Sequence, residues 1–236
     1  MTTLLGLAYS PWTQRARWAL DHHGVPYDFE TYAPIVGEPG LRRRLGRLKG
    51  RVSVPVLFVD GQPLEDSVAI ARWAEARGRG EPLFFDDDAV THWVSIAERG
   101  LSAGRARAAE ATKADPEAQK EAVAFLAPAP FHGALRPVAR FGAWMLARKY
   151  GAPPPLELER SLEALREGLG DGRHLLGGRL SFADLAMAGM LEFVAPGEHI
   201  RRGVAEKRVW GDARLANRFA DLVAWRDALI RDHWKR

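Results

Sequence analysis

Every stretch of this chain that reads as β-strand lies before residue 66. From residue 89 onward there is no convincing strand signal, only helical periodicity broken by prolines and glycines. That asymmetry restricts the fold to an α/β unit at the N-terminus followed by an all-α helical unit. Within the first unit, residues 3–8 read as a short buried strand and residues 11–23 as a helix closed by Gly24. Residues 25–32 alternate like a second strand, and one short helix is expected around Leu41 to Leu48. A third strand over 52–60 turns at Asp60-Gly61 into a short fourth strand, Gln62 to Glu65. Asp66-Ser67 then caps a helix with the apolar face Val68, Ile70, Ala71, Trp73 and Ala74, ending near Gly78. A helix between strands one and two makes that pair parallel, whereas strands three and four form a hairpin. The product is a small mixed sheet with helices on its faces.

The expected division is therefore 1–78 for the α/β domain, 79–88 for a linker and 89–236 for the helical domain. In the second part, helices are expected at 89–111, from Pro116 until Pro128 and Pro130 interrupt, at 131–150, at 156–169 and at 218–236. A connector is expected at 151–155. Ser181-Phe182-Ala183-Asp184 is a capping box with Asp in place of the usual Glu or Gln. It opens a helix, Leu185 to Val194, that is apolar nearly all round and so belongs in the core.

Composition removes several classes of function. With no cysteine in 236 residues there is no disulfide, no thiolate metal site and no cysteine nucleophile. The seven histidines lack ligand spacing, and the adjacent His22 and His23 cannot readily face one metal, so no metal is expected. The net charge of +4 is spread widely, and no aromatic residues interleave the basic cluster Arg42, Arg43, Arg44, Arg47, Lys49 and Arg51, so no nucleic-acid partner is expected. No signal peptide and no run of membrane-spanning length occur, which makes a cytoplasmic protein off the membrane the expectation.

The stretch with the most chemistry runs from Ala8 to Leu20. A strand enters a turn, Ser10 follows, and Pro11 suits the first turn of a helix, where its missing N–H is no loss. Ser10 then sits beside open backbone donors and the positive end of a helix dipole. It is either a plain N-cap or a donor to an anion, and both roles draw on the same helix end. Pro55 inside a strand must lie at an edge or at the strand's start, leaving main-chain groups of Val54 open.

Ser10-Pro11-Trp12-Thr13-Gln14-Arg15-Ala16-Arg17-Trp18-Ala19-Leu20, Val54-Pro55, Glu65-Asp66-Ser67-Val68-Ala69-Ile70 and the Ser181–Asp184 box, in this order and spacing, resemble the cytosolic glutathione transferases. The resemblance spans nearly the whole chain. It implies a thioredoxin-like N-terminal domain, an all-helical C-terminal domain, a homodimer, and glutathione as co-substrate for attack on a hydrophobic electrophile, the chemistry of detoxification. It implies that Val54 pairs its backbone with the cysteinyl part of glutathione and that Pro55 is cis. Asp66 and Ser67 would hold the γ-glutamyl end, and Ser10 would face the sulfur. Tyr9 and Thr13 are rivals for that last role. The basic cluster is either a solvated face or brings Lys49 or a neighbouring Arg to the glycyl carboxylate.

A thiol with a pKa of about 8.5 is only a few per cent ionised at neutral pH. Lowering it by about two units takes roughly 2.7 kcal/mol. A hydroxyl donating to a charged acceptor supplies about 1.5–3 kcal/mol, and a helix N-terminus about 0.3–1 kcal/mol. Ser10 at a helix start is thus sufficient without a metal. Lacking cysteine, the chain cannot follow the mixed-disulfide route of omega-like or glutaredoxin-like members. Two other functions remain open, a glutathione-binding module with little turnover and a glutathione-dependent isomerase. Trp12, Trp93, Phe131 and Trp210 are candidates for an apolar pocket, though tryptophans at helical spacing are commonly core.

Overall fold

The computed structural model describes residues 1–34, 36–124, 128–150, 154 and 156–234. The α/β part runs β1 (Thr2–Gly6), α1 (Pro11–His22), β2 (Asp28–Thr31), α2 (Glu38–Arg44), β3 (Val56–Val59), β4 (Gln62–Glu65) and α3 (Ser67–Glu75). The sheet order is β2-β1-β3-β4. β1 and β2 are parallel, and β3 is antiparallel to both β1 and β4. The hairpin turns on Asp60 and Gly61, whose φ values of 49° and 83° give the left-handed pair that a two-residue turn needs. Alternation assigns the two faces. Leu4 and Leu57 pack with Ala16 and Leu20 of α1 and Ile70 and Ala74 of α3. Leu5, Val56 and Phe58 meet Leu41 of α2 on the other face.

The helical part comprises α4 (Asp87–Ala114), α5 (Pro116–Ala122), α6 (Arg136–Tyr150), α7 (Glu157–Leu169), α8 (Phe182–Met190), α9 (Val204–Trp210), α10 (Ala213–Arg218) and α11 (Ala220–His233). α8 is its centre. Its capping box is formed as expected: Ser181 Oγ accepts from Asp184 N, and the Asp184 carboxylate accepts from Ser181 N at 2.8 Å. Asp184 also holds Leu175 N at 2.8 Å, and burial raises its pKa above the usual carboxylate value despite these donors. The two parts meet where Trp18, Ala19 and Ala71 pack against Phe182, Leu185 and Ala188. Trp18 there stacks on Trp234 at 5.1 Å.

Several elements differ from the sequence-based expectation. The second strand is shorter than 25–32, because Val25 N donates to Leu20 O at 2.9 Å and closes the helix before the ladder begins. The third starts at Val56, after the proline that cannot join a ladder. α2 precedes the expected position, α4 begins at Asp87 under an Asp86 cap, and α9 was not foreseen. α8 ends at Met190 in a 3-10 turn over Leu191–Phe193, and α6 starts at Arg136 after another over Ala129–Phe131. The last expected helix is α11, and α10 ahead of it, like α9, was not foreseen. The expected connector at 151–155 lies, apart from Pro154, outside the described residues.

Candidate active site

Sheet register decides what meets at the site. Leu5 of β1 lies opposite Val56 of β3, and Val56 opposite Glu65 of β4. The end of β1, the start of β3 and the end of β4 are therefore neighbours. The turn carrying Ser10, the Val54-Pro55 pair and the Asp66-Ser67 pair all leave the sheet at this one end.

Ser10 is the N-cap of α1, with φ −77° and ψ 126°, and its side chain makes no cap hydrogen bond. Its N–H donates to Leu7 O and its carbonyl accepts from Gln14 N, each at 2.9 Å. The residue is only 8% exposed and stands at the head of α1, beside the positive end of its dipole. The turn is pinned from three sides. Leu7 N donates to Thr13 Oγ1 at 3.3 Å, Gln14 Nε2 donates to Ala8 O at 2.9 Å, and Arg202 Nη2 donates to Tyr9 O at 2.8 Å. Thr13 is fully buried against Gly6, where an added Cβ would stand 2.5 Å from Thr13 Cγ2. The Tyr9 ring turns toward the helical part and meets Trp210 edge-on at 5.7 Å. Burial, then the Glu206 carboxylate, push its phenol well above the usual tyrosine pKa, against the pull of Arg202.

The Val54-Pro55 peptide is cis. Among the described residues, no hydrogen bond uses the main-chain N–H or C=O of Val54. Asp66 takes φ 79° and ψ 132°, a strained conformation for a residue with a side chain. Its Oδ1 accepts from Val68 N at 2.7 Å and Ala69 N at 3.3 Å, capping α3. Ser67 follows, buried, and its Oγ accepts from Arg15 Nε at 2.8 Å. With that lone pair taken, the Ser67 hydroxyl keeps its proton to donate, and its N–H is without an acceptor among the described residues.

Arg15 and Glu98 escaped the sequence reading. Arg15, 2% exposed, pairs through Nη2 with Glu98 of α4, which also accepts from Trp12 Nε1 at 2.9 and 3.0 Å. The available signal was position: Arg15 stands three and four residues before Trp18 and Ala19, on the inward face of α1. Lys49 is exposed on the loop ahead of β3. Arg42, Arg44 and Arg47 of the same cluster are paired with Glu38, Glu30 and Glu65 at 2.8, 2.7 and 2.7 Å. Of the four pocket candidates, Trp12, Trp93 and Trp210 pack against the helical core, whereas Phe131 is 60% exposed. Among the described residues, no cluster of His, Asp and Glu could hold a metal ion, and no helix is long and apolar enough to cross a membrane.

Residues 9–77 match the glutathione S-transferase N-terminal domain family, and residues 156–228 match the glutathione S-transferase C-terminal domain family. Together these matches cover more than half of the chain, and the small mixed sheet followed by helices is the architecture they describe. The chain belongs to the glutathione S-transferase family. No curated protein matches it in sequence. Among solved structures, it is similar to a glutathione S-transferase from Methylobacillus flagellatus KT with glutathione bound, at 17% identity and a TM-score of 0.61, covering 98% of this chain and 95% of that one. A transferase from Methylobacterium radiotolerans JCM 2831, in complex with glutathione sulfonate, is 20% identical with a TM-score of 0.59, covering 97% and 90%. Rice GST1 in complex with glutathione is 18% identical with a TM-score of 0.60, covering 98% and 87%.

Proposed function

We propose that this chain is a glutathione transferase that ionises the glutathione thiol at Ser10 and directs it at a hydrophobic electrophile. The observation that carries the reading is the meeting, at one end of the sheet, of three groups with open hydrogen-bonding capacity: the Ser10 hydroxyl, the Val54 main chain and the Ser67 hydroxyl and N–H. In this reading Val54 pairs with the cysteinyl backbone of glutathione. Asp66 and Ser67 take its γ-glutamyl ammonium and carboxylate, and Lys49 takes its glycyl carboxylate. Ser67 suits a carboxylate because Arg15 holds its oxygen and leaves the proton to the ligand. The strained φ of Asp66 is the kind of backbone cost that concentrates at binding sites. That several similar structures carry glutathione or its sulfonate supports the same ligand here.

Ser10 is favoured over its rivals by placement. Thr13 is fully buried against Gly6, and the Tyr9 ring is packed on Trp210. A thiolate formed at Ser10 would accept its hydroxyl proton as a charge-assisted hydrogen bond at the positive end of α1. The thiolate then displaces a leaving group from, or adds to, the electrophile. The domain division 1–78, 79–88 and 89–236, a cytoplasmic location and a homodimer belong to the same proposal. The exposed stacked pair Phe141 and Trp144 on α6 is consistent with a second copy, and light scattering is expected to give twice 26.2 kDa.

Calorimetric titration with glutathione, paired with turnover on a generic aryl halide, tests the activity. Binding with turnover that falls in Ser10→Ala is expected. Binding without turnover would leave only a glutathione-binding module, and absence of binding would refute the assignment.

A further inference from the structure

Among the described residues, the turn that carries Ser10 receives one hydrogen bond from the C-terminal half of the helical part, and it comes from a buried ion cluster. Glu192, in the 3-10 turn after α8, is 1% exposed, and the side chains of Arg202 and Arg226 are 0% and 3% exposed. Glu192 Oε2 accepts from Arg202 Nη1 at 2.8 Å, and Oε1 accepts from Arg226 Nη1 at 3.2 Å. Gly197 N donates to both oxygens at 3.3 Å. Arg226 has further partners, Asp227 and the carbonyl of Ala195. Arg202 instead sends its other nitrogen to the Tyr9 carbonyl at 2.8 Å, with its guanidinium 4.2 Å from the Trp210 ring centre.

A neutral donor could satisfy one peptide carbonyl. A buried guanidinium costs far more to place unless its charge is matched, and here two share one buried carboxylate. The carbonyl that Arg202 engages belongs to the peptide whose nitrogen is Ser10's. Holding that oxygen fixes the Tyr9–Ser10 peptide plane, and with it the direction of the Ser10 side chain. It also places a positive charge, in surroundings of low polarity, one peptide from the Ser10 hydroxyl. Among the described residues, the other charged or titratable groups around Arg202 are the Tyr9 phenol, Glu206 on α9, Glu121 on α5, whose carboxylate caps α9 through Ala205 and Glu206 N, and His199 beside Glu192.

Building on the transferase reading above, we propose that Arg202, itself held by Glu192, is the positioning residue for Ser10 and tunes the glutathione thiolate from a distance without touching it. The helical part thereby takes a share in activating the thiol, beyond any part in receiving the electrophile.

The test follows the thiolate absorbance of enzyme-bound glutathione against pH in the full chain. In Arg202→Met the apparent thiol pKa is expected to rise by about one unit, so that turnover at pH 6.5 falls about fivefold and recovers at high pH. Glutathione affinity at high pH is expected to change less than about threefold. Arg202→Lys, which keeps the charge but not the fork, is expected to recover part of the shift. A purely bracing role would lower the unfolding midpoint and leave the pH profile of the remaining folded protein superimposable on the parent, which would overturn the proposal. If Arg202→Met does not fold, Glu192→Gln carries the test at nearly constant volume, and a profile unchanged from the parent would overturn it equally. Failure of the transferase reading is distinguishable, because the parent chain itself would then either bind no glutathione in the calorimeter or bind it without turning over the aryl halide.

Discussion

Arg15 joins three elements with one side chain, so its removal has a calculable outcome. Its Nε holds Ser67 on α3, its Nη2 holds Glu98 on α4, and its stem is buried in the seam between the two parts. Arg15→Ala removes a hydrogen bond from a charged donor, worth about 1.5–3 kcal/mol. Breaking a fully buried ion pair costs about 3–5 kcal/mol. Glu98, however, has a side chain 40% exposed and keeps Trp12, so water takes up much of its charge. That pair is accordingly assigned about 1 kcal/mol. Lost packing of the stem adds about 1 kcal/mol. The expected destabilisation is about 4 kcal/mol, read as a shift in the urea midpoint at constant slope. In the folded fraction the Ser67 hydroxyl is no longer fixed, and glutathione affinity is expected to fall about tenfold, or about 1.4 kcal/mol. Glu98→Gln, which retains an acceptor for Trp12, should cost about 1 kcal/mol and change affinity less than about threefold. Arg15→Ala with a destabilisation below about 1 kcal/mol and unaltered affinity would refute the reasoning.

Other perturbations separate scaffold from chemistry. Asp184→Ala strands the buried amides of Leu175 and Ser181, each at about 1–3 kcal/mol, and should lower stability by about 3–5 kcal/mol in denaturant titration. Gly6→Ala would drive a methyl against Thr13 behind the Ser10 turn, and is expected to cost about 1–3 kcal/mol and to reduce turnover more than glutathione affinity. The buried His23 has its pKa lowered below the ordinary 6.5 by burial first and by His22 second, against Glu75. The unfolded chain therefore binds the proton more readily, and the His23 contribution is complete above pH 6.5 and lost as pH falls from 6.5 through the lower folded value. In His23→Gln that part of the acid slope of stability should flatten, which urea midpoints across this range would reveal.

How much was legible in the sequence depended on whether its cause was local. The four strands, the parallel and hairpin pairings, α1, α3 and the Ser181–Asp184 box all rest on alternation, caps and turn residues written into neighbouring positions. The missed α9 has no local cap. Its first amides are held by Glu121, more than eighty residues away, at 3.2 and 2.6 Å. Strand ends were overestimated at Val25 and Val52 because apolar character continues where ladder bonding has not begun. The site divided in the same manner. Ser10, Val54, Asp66 and Ser67 carry short motifs, and the register places them together. Arg15 had a local signal in its place on the inward face of α1, whereas nothing in the neighbours of Glu98, Glu192 and Arg202 tells which distant group each of them meets.

The central claim is that the Ser10 hydroxyl, at the head of α1, makes the thiolate. The measurement that meets it most directly is the pKa of glutathione bound to the parent chain and to Ser10→Ala, followed by thiolate absorbance. A value near 6.5, about two units below a free thiol, is predicted for the parent, returning to within about half a unit of 8.5 in Ser10→Ala while Tyr9→Phe stays at the parent value. An unshifted pKa in the parent, or a shift that survives Ser10→Ala and vanishes in Tyr9→Phe, would contradict it.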